Sequence, residues 1–139
     1  WYTERIIDQQ PPRVLGTYTV LVPRCGPDGN ELGCLSPPEV AVPVGTYTGW
    51  NIRTSDAGAP GELVSLTGSF IPFARTKEDR LKTDDPRLTV MERYGSLTEY
   101  TERVTAACEK LREQRCLTDT DAKRLPTLLT DRVRPLFSE

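Results

Sequence analysis

An α+β fold, with strands and a turn first and helices last, is what this sequence predicts, on three observations. Residues 14–22 (VLGTYTVLV) are rich in β-branched and aromatic side chains and are closed by Pro23, as a strand would be. A Pro27-Asp28-Gly29-Asn30 turn follows, in which Gly and Asn tolerate positive φ. From Arg75 onward, hydroxyl residues are repeatedly followed by an acid three positions later, ahead of apolar residues at three- and four-residue steps.

Taken in order, residues 1–11 have mixed polarity, run into Pro11-Pro12 and read as a segment of something larger. With Trp rather than Met at position 1, a processed or truncated chain is the expectation. Val14 to Val22 is the first expected strand and Leu32 to Leu35 its return. Glu39 to Val44 (EVAVPV) reads as a short edge strand, because Pro43 cannot donate to a ladder. These elements make up an expected strand-and-hairpin region, 1–44. The next region, 45–75, carries Gly45, Gly49, Gly58, Gly61 and Gly68 with Pro60 and Pro72, and reads as a long ordered loop bearing aromatic residues.

The helical region, 76–139, opens with Thr76 and Asp79, Thr89 and Glu92, Ser96 and Glu99, and Thr118 and Asp121 as capping pairs. Glu returns the second bond of such a box better than the shorter Asp, so the middle two are the stronger starts. Asp85-Pro86 ends the first helix and Gly95 stands where a C′ glycine closes the second. The third, Leu97 to about Arg115, carries Leu97, Tyr100, Val104, Ala107, Cys108 and Leu111 on one stripe. The last begins after Thr118, with a kink or restart expected at Pro126. The whole, 1–139, reads as a single segment and an incomplete domain.

Composition excludes several chemistries. The 139 residues hold no histidine. Ser–His–Asp and Cys–His catalysis need an imidazole to take and return a proton, and the common catalytic zinc sites draw on one as well. They are excluded unless another chain supplies the base. Eighteen Lys and Arg against 20 Asp and Glu, spread along the chain, argue against nucleic-acid binding. No apolar run approaches the ~20 residues of a membrane span. No cofactor and no metal site is implied. Asp84-Asp85 precedes Pro86 as a turn acid does, Asp119 and Asp121 suit a helix N-terminus, and Asp28-Gly29-Asn30 lacks the rest of a calcium loop.

Two groups remain as candidates. Cys25 and Cys34 flank the turn. If the turn centres on Gly29-Asn30 they lie opposite one another, within disulfide reach; if on Asp28-Gly29, they are only diagonal neighbours. Pairing is the favoured reading and would act as a staple. Cys108 and Cys116 would stand ~12 Å apart on a continuous helix and are expected to stay unbridged. Tyr47, Trp50 and Asn51, on the Gly-bracketed run GTYTGWN, have the parts of a binding wall: aromatic faces and an orienting amide. The plainer reading is that the two rings pin an irregular loop to the core.

GTYTGWNIR (45–53), GSFIPFARTKEDR (68–80) and DPRLTVMERYG (85–95) resemble a bacterial "α/β hydrolase domain" family, as does the VLVPRCGPDGNELGCLSPPEVAVPV segment before them. The resemblance implies part of a larger α/β-hydrolase fold and ester or related acyl hydrolysis in a complete enzyme. The family's nucleophile elbow and catalytic histidine have no counterpart here, so no catalytic residue transfers to this chain. What it implies is a supporting C-terminal portion whose partner is the remainder of the hydrolase or a second processed chain. Tyr47, Trp50 and Asn51 would be the local residues nearest substrate. The four cysteines depart from the family and suggest a disulfide-bearing member, extracellular or periplasmic. The rival is an autonomous, disulfide-stapled binding or structural module, distinguished by a Leu97 to Leu111 stripe buried within this chain alone.

Overall fold

A computed structural model describes residues 9, 11, 13–33, 35–64 and 66–137. The architecture is α+β: α1 (Pro38–Ala41), β1 (Gly45–Thr48), β2 (Ser69–Pro72), α2 (Lys77–Lys82), α3 (Val90–Tyr94), α4 (Leu97–Glu113) and α5 (Asp119–Val133), with 3-10 turns at Ser55–Ala57 and Arg134–Leu136. β1 and β2 form an antiparallel pair in which Gly45 faces Pro72 and Thr48 faces Ser69.

All four expected N-caps are in place: Thr76, Thr89, Ser96 and Thr118 each accept from the backbone N–H three residues on. The complete reciprocal box forms at Thr89, whose N–H donates to the Glu92 carboxylate at 3.1 Å. At Thr76 and Thr118 the shorter Asp side chain instead accepts from the cap hydroxyl, at 2.7 and 2.9 Å. Gly95 closes α3 at φ +70°, where a Cβ would be strained. α4 is closed without a glycine: Arg115 takes φ +60° while Cys116 N–H reaches back to the Leu111 carbonyl at 2.9 Å.

The core lies where α4 meets α5, α3 and the sheet end. Tyr100, Val104 and Cys108 are 1%, 0% and 0% exposed, and Leu111 extends the same stripe. Tyr94 stands edge-on to Tyr100 at 5.2 Å, and Phe137 lies 5.9 Å from the Tyr100 ring. Val42, Phe73, Val90, Leu129 and Val133 complete the cluster. Tyr94 keeps its hydroxyl satisfied by donating to the Pro43 carbonyl at 2.8 Å. α5 runs unbroken through Pro126, so no restart occurs; the Pro is buried on the packed face, where tertiary contacts hold the helix across the missing donor.

Four expectations are corrected. Val14 to Val22 forms no strand, and its large apolar side chains are 65–91% exposed, because no described strand offers it a ladder. Leu32 to Leu35 is no return strand either, with Leu32 and Leu35 exposed and Cys34 outside the described residues. Within Glu39 to Val44 the chain turns helically as α1: Pro38 sits in the first turn, where its missing N–H costs nothing. The strands instead lie inside the stretch read as loop, near its two ends.

The chain reverses between Gly26 and Asn30 and pairs Cys25 with Glu31, a register different from both expected ones. The Cys25–Cys34 disulfide is not formed at Cys25, which is a free thiol, and the register removes the geometric case for it; Cys34 lies outside the described residues. Cys108 and Cys116 are free thiols, one buried and one exposed.

Candidate functional site

The residues that converge are charged and come from the turn, the sheet, the Asp-Pro-Arg step and α3. The turn supplies Asp28, Gly29 and Asn30. Gly29 has φ +77°, and a Cβ there would fall 2.9 Å from the Thr46 methyl, so both backbone and packing require glycine. Asn30 is buried. Its amide donates to the Gly45 carbonyl at 3.1 Å and accepts from Tyr47 N–H at 2.8 Å, so it caps the outer edge of β1 as a neighbouring strand would.

Asp28 meets Arg93 of α3 through both carboxylate oxygens. Arg87 binds Asp85 bidentately, at 2.9 and 2.7 Å, and its remaining donors reach Thr46 Oγ1 at 2.9 Å and the Ile71 carbonyl at 3.1 Å. The Thr46 hydroxyl donates in turn to the Asp28 carbonyl. Buried Phe73 lies within cation–π range of both guanidiniums, 5.5 Å from that of Arg87 and 4.8 Å from that of Arg93. Arg80 pairs with Glu92 at 3.0 Å while Glu92 closes the α3 capping box.

Three acids thus meet three arginines, and two of the arginines, Arg87 and Arg93, lie over the Phe73 ring. The hydrogen bonds from Arg87 hold the Asp85 carboxyl below its ordinary value. The Thr89 N–H, with Arg80 adding to it, does the same for Glu92. Every carboxylate in the clamp faces a guanidinium, and the clamp contains no nucleophile beside a base. Its chemistry is to lock five segments together: the turn, the sheet, α2, the Asp-Pro-Arg step and α3. Among the described residues no three Cys, Asp or Glu side chains gather as a metal site, and no described helix is long and apolar enough to cross a membrane.

The candidate wall lies next to this clamp. Tyr47 stacks at 4.9 Å on Phe70 across the sheet, and it borders a hollow of about 310 Å³ with Pro37 and Val40. Burial, helped by Glu39, raises its phenol pKa. Trp50 is 49% exposed just beyond β1, and its carbonyl accepts from Ser69 Oγ at 3.2 Å. The Asn51 side chain accepts from the next N–H, that of Ile52, at 2.9 Å. The structure therefore joins Tyr47 to Phe70, and places Trp50 and Asn51 on the adjoining loop.

A family model described as an alpha/beta hydrolase domain matches residues 7–127. The chain belongs to the α/β hydrolase domain family. No curated protein and no solved structure matches it. In this α/β hydrolase domain chain the motifs that carry the resemblance are the ones that meet in the clamp: the DGN turn, GTYT of β1, the SFIPF run of β2 and Phe73, DPR, and ERY of α3. Sequence reasoning noted Asp28 and Asp85 only as turn acids. The available signal was Asp85-Pro86-Arg87, where proline favours an extended or turned chain that brings acid and base together. Asp28 and Arg93 are 65 positions apart and give no local sign.

Proposed function

We propose that this chain is the non-catalytic, supporting portion of an α/β hydrolase that cleaves esters or related acyl compounds. Nucleophile, base and oxyanion donors would lie outside these 139 residues, on the remainder of the hydrolase or a second processed chain. The observation that carries this reading is the clamp: the signature residues are spent on an internally neutral lock, in a chain with no histidine. Tyr47, Trp50 and Asn51 are the proposed contribution to the substrate wall of the complete enzyme. An extracellular or periplasmic location, suggested by the four cysteines, is part of the same proposal.

One observation favours the second reading, an autonomous binding or structural module. The Tyr100, Val104, Cys108 and Leu111 stripe is buried by this chain alone, in a core that also takes in Val42 and Phe73 from before the last four helices. Ester turnover tests what the two readings share, that these 139 residues hold no catalytic centre of their own. The purified chain is expected to leave p-nitrophenyl acetate and butyrate at the buffer rate, since a serine hydroxyl without a base is a poor nucleophile. Turnover that vanishes when one of the chain's own serines is replaced would overturn the reading. In the complete enzyme, Trp50→Ala is expected to raise KM or lower kcat; unchanged kinetics with lower thermal stability would make Trp50 a loop anchor instead.

A further inference from the structure

The approach to α2, the start of α3 and the turn after α5 together border a hollow of about 380 Å³. Its wall is hydrocarbon from Met91, Leu136 and Phe137, and Met91 and Leu136 are still 44% and 36% exposed. The Phe137 ring lies 5.9 Å from that of buried Tyr100, so this side of the wall is fixed to the core.

Arg75 and Lys77 stand at the same hollow. Among the described residues neither pairs with an acid, whereas Arg80, Lys82, Arg87 and Arg93 all do. The acids of α2 and α3 are already engaged. Glu92 is held by Arg80 and accepts from the Thr89 N–H, Glu78 pairs with Lys82, and Asp79 accepts from the Thr76 hydroxyl. A cation on either side of Thr76 is thus left without a counter-charge beside an apolar wall.

Exposed charges by themselves attract any anion weakly, and an apolar wall by itself takes any hydrocarbon. Together they select a molecule that has both parts, because Arg binds a carboxylate through a planar fork and each methylene laid on the wall leaves water. The volume is at the small end of ligand cavities and suits a small acid rather than a protein segment.

We infer that this hollow binds a small amphiphilic carboxylate, its head group on Arg75 and Lys77 and its hydrocarbon tail on Met91, Leu136 and Phe137. The site shares no residue with the proposed substrate wall of Tyr47, Trp50 and Asn51, and it stands whether or not a catalytic portion lies outside these residues.

Met91 is the only methionine in the chain, so an isotope-labelled methionine methyl group reports on this hollow alone. Titrating the 139-residue chain with hexanoate is expected to move the Met91 resonance saturably. Acetate, which is the head alone, and hexanol, which is the tail with no charge, each bind at least about tenfold more weakly. Arg75→Gln combined with Lys77→Gln weakens hexanoate about tenfold and leaves hexanol unchanged, while Lys77→Arg, which keeps the charge, retains hexanoate binding. Neither cation is paired within the fold, so the variants keep the wild-type spectrum away from the hollow and a loss of affinity is not a loss of structure. The inference is overturned by the absence of a saturable shift, by hexanol binding as tightly as hexanoate, or by a double glutamine variant that binds hexanoate as the wild type does. Acetate matching hexanoate would also reject it, since charge alone would then account for the binding.

Discussion

Replacing Asp28 with Ala lowers the unfolding free energy by about 3 kcal/mol, because Arg93 is left with a largely buried charge and no carboxylate. The two side chains are 21% and 19% exposed, so solvent screens the pair only weakly. Arg93→Met has a comparable cost and also removes the cation over Phe73. The double variant loses less than the sum of the two, since no orphan charge remains. Urea titrations of the four proteins measure the cycle. Additive losses below about 0.5 kcal/mol, the scale of an exposed pair, would reject the clamp as a lock. Acid tests the same network from its other carboxylates. Asp85 and Glu92 have folded pKa values below their unfolded ones, so the native state holds fewer protons. Their contribution is present above the unfolded carboxylate value of about 4 and is lost as pH falls through the folded values. The Asp85→Asn, Glu92→Gln variant is therefore less stable at neutral pH, and its urea midpoint falls less on acidification than that of the wild type.

Tyr100→Ala removes about 4 kcal/mol, the cost of emptying a fully buried aromatic position that Tyr94 and Phe137 cannot refill. Tyr100→Phe keeps the volume and costs under about 1.5 kcal/mol. Burial pushes the Tyr100 pKa up to about 12, so its phenol stays neutral across the working range and adds no charge to the comparison. If the alanine variant lost no more than the phenylalanine one, α4 would not be packing on a core of this chain's own. A large difference would show that α4 packs on a core formed within this chain, to which α3 joins the clamp.

Helix starts were legible because a cap is a local event. Thr76, Thr89, Ser96 and Thr118 each meet their acid three residues on, and no distant partner can change that reach. The Tyr100, Val104, Cys108 stripe was legible for the same reason, since helical period alone places those side chains on one face. Strands were not legible. β-branched composition marked Val14 to Val22, but composition supplies no ladder, and that segment stands unpaired while plainer GTYT and SFIP runs pair with each other.

What the sequence by itself determined is therefore the helical half, the absence of an imidazole and, through its motifs, the family. Tertiary structure alone decided what those motifs are for. Asp28 reaches Arg93, Arg87 reaches Thr46, and Phe73 is packed by both arginines only after the turn, sheet and helices are brought together. The same holds for Asn30, read from sequence as a turn former and found capping a strand edge fifteen positions away. Ion pairs and edge caps depend on where side chains end up in space, and separations of 15 to 65 positions leave no period for the sequence to show.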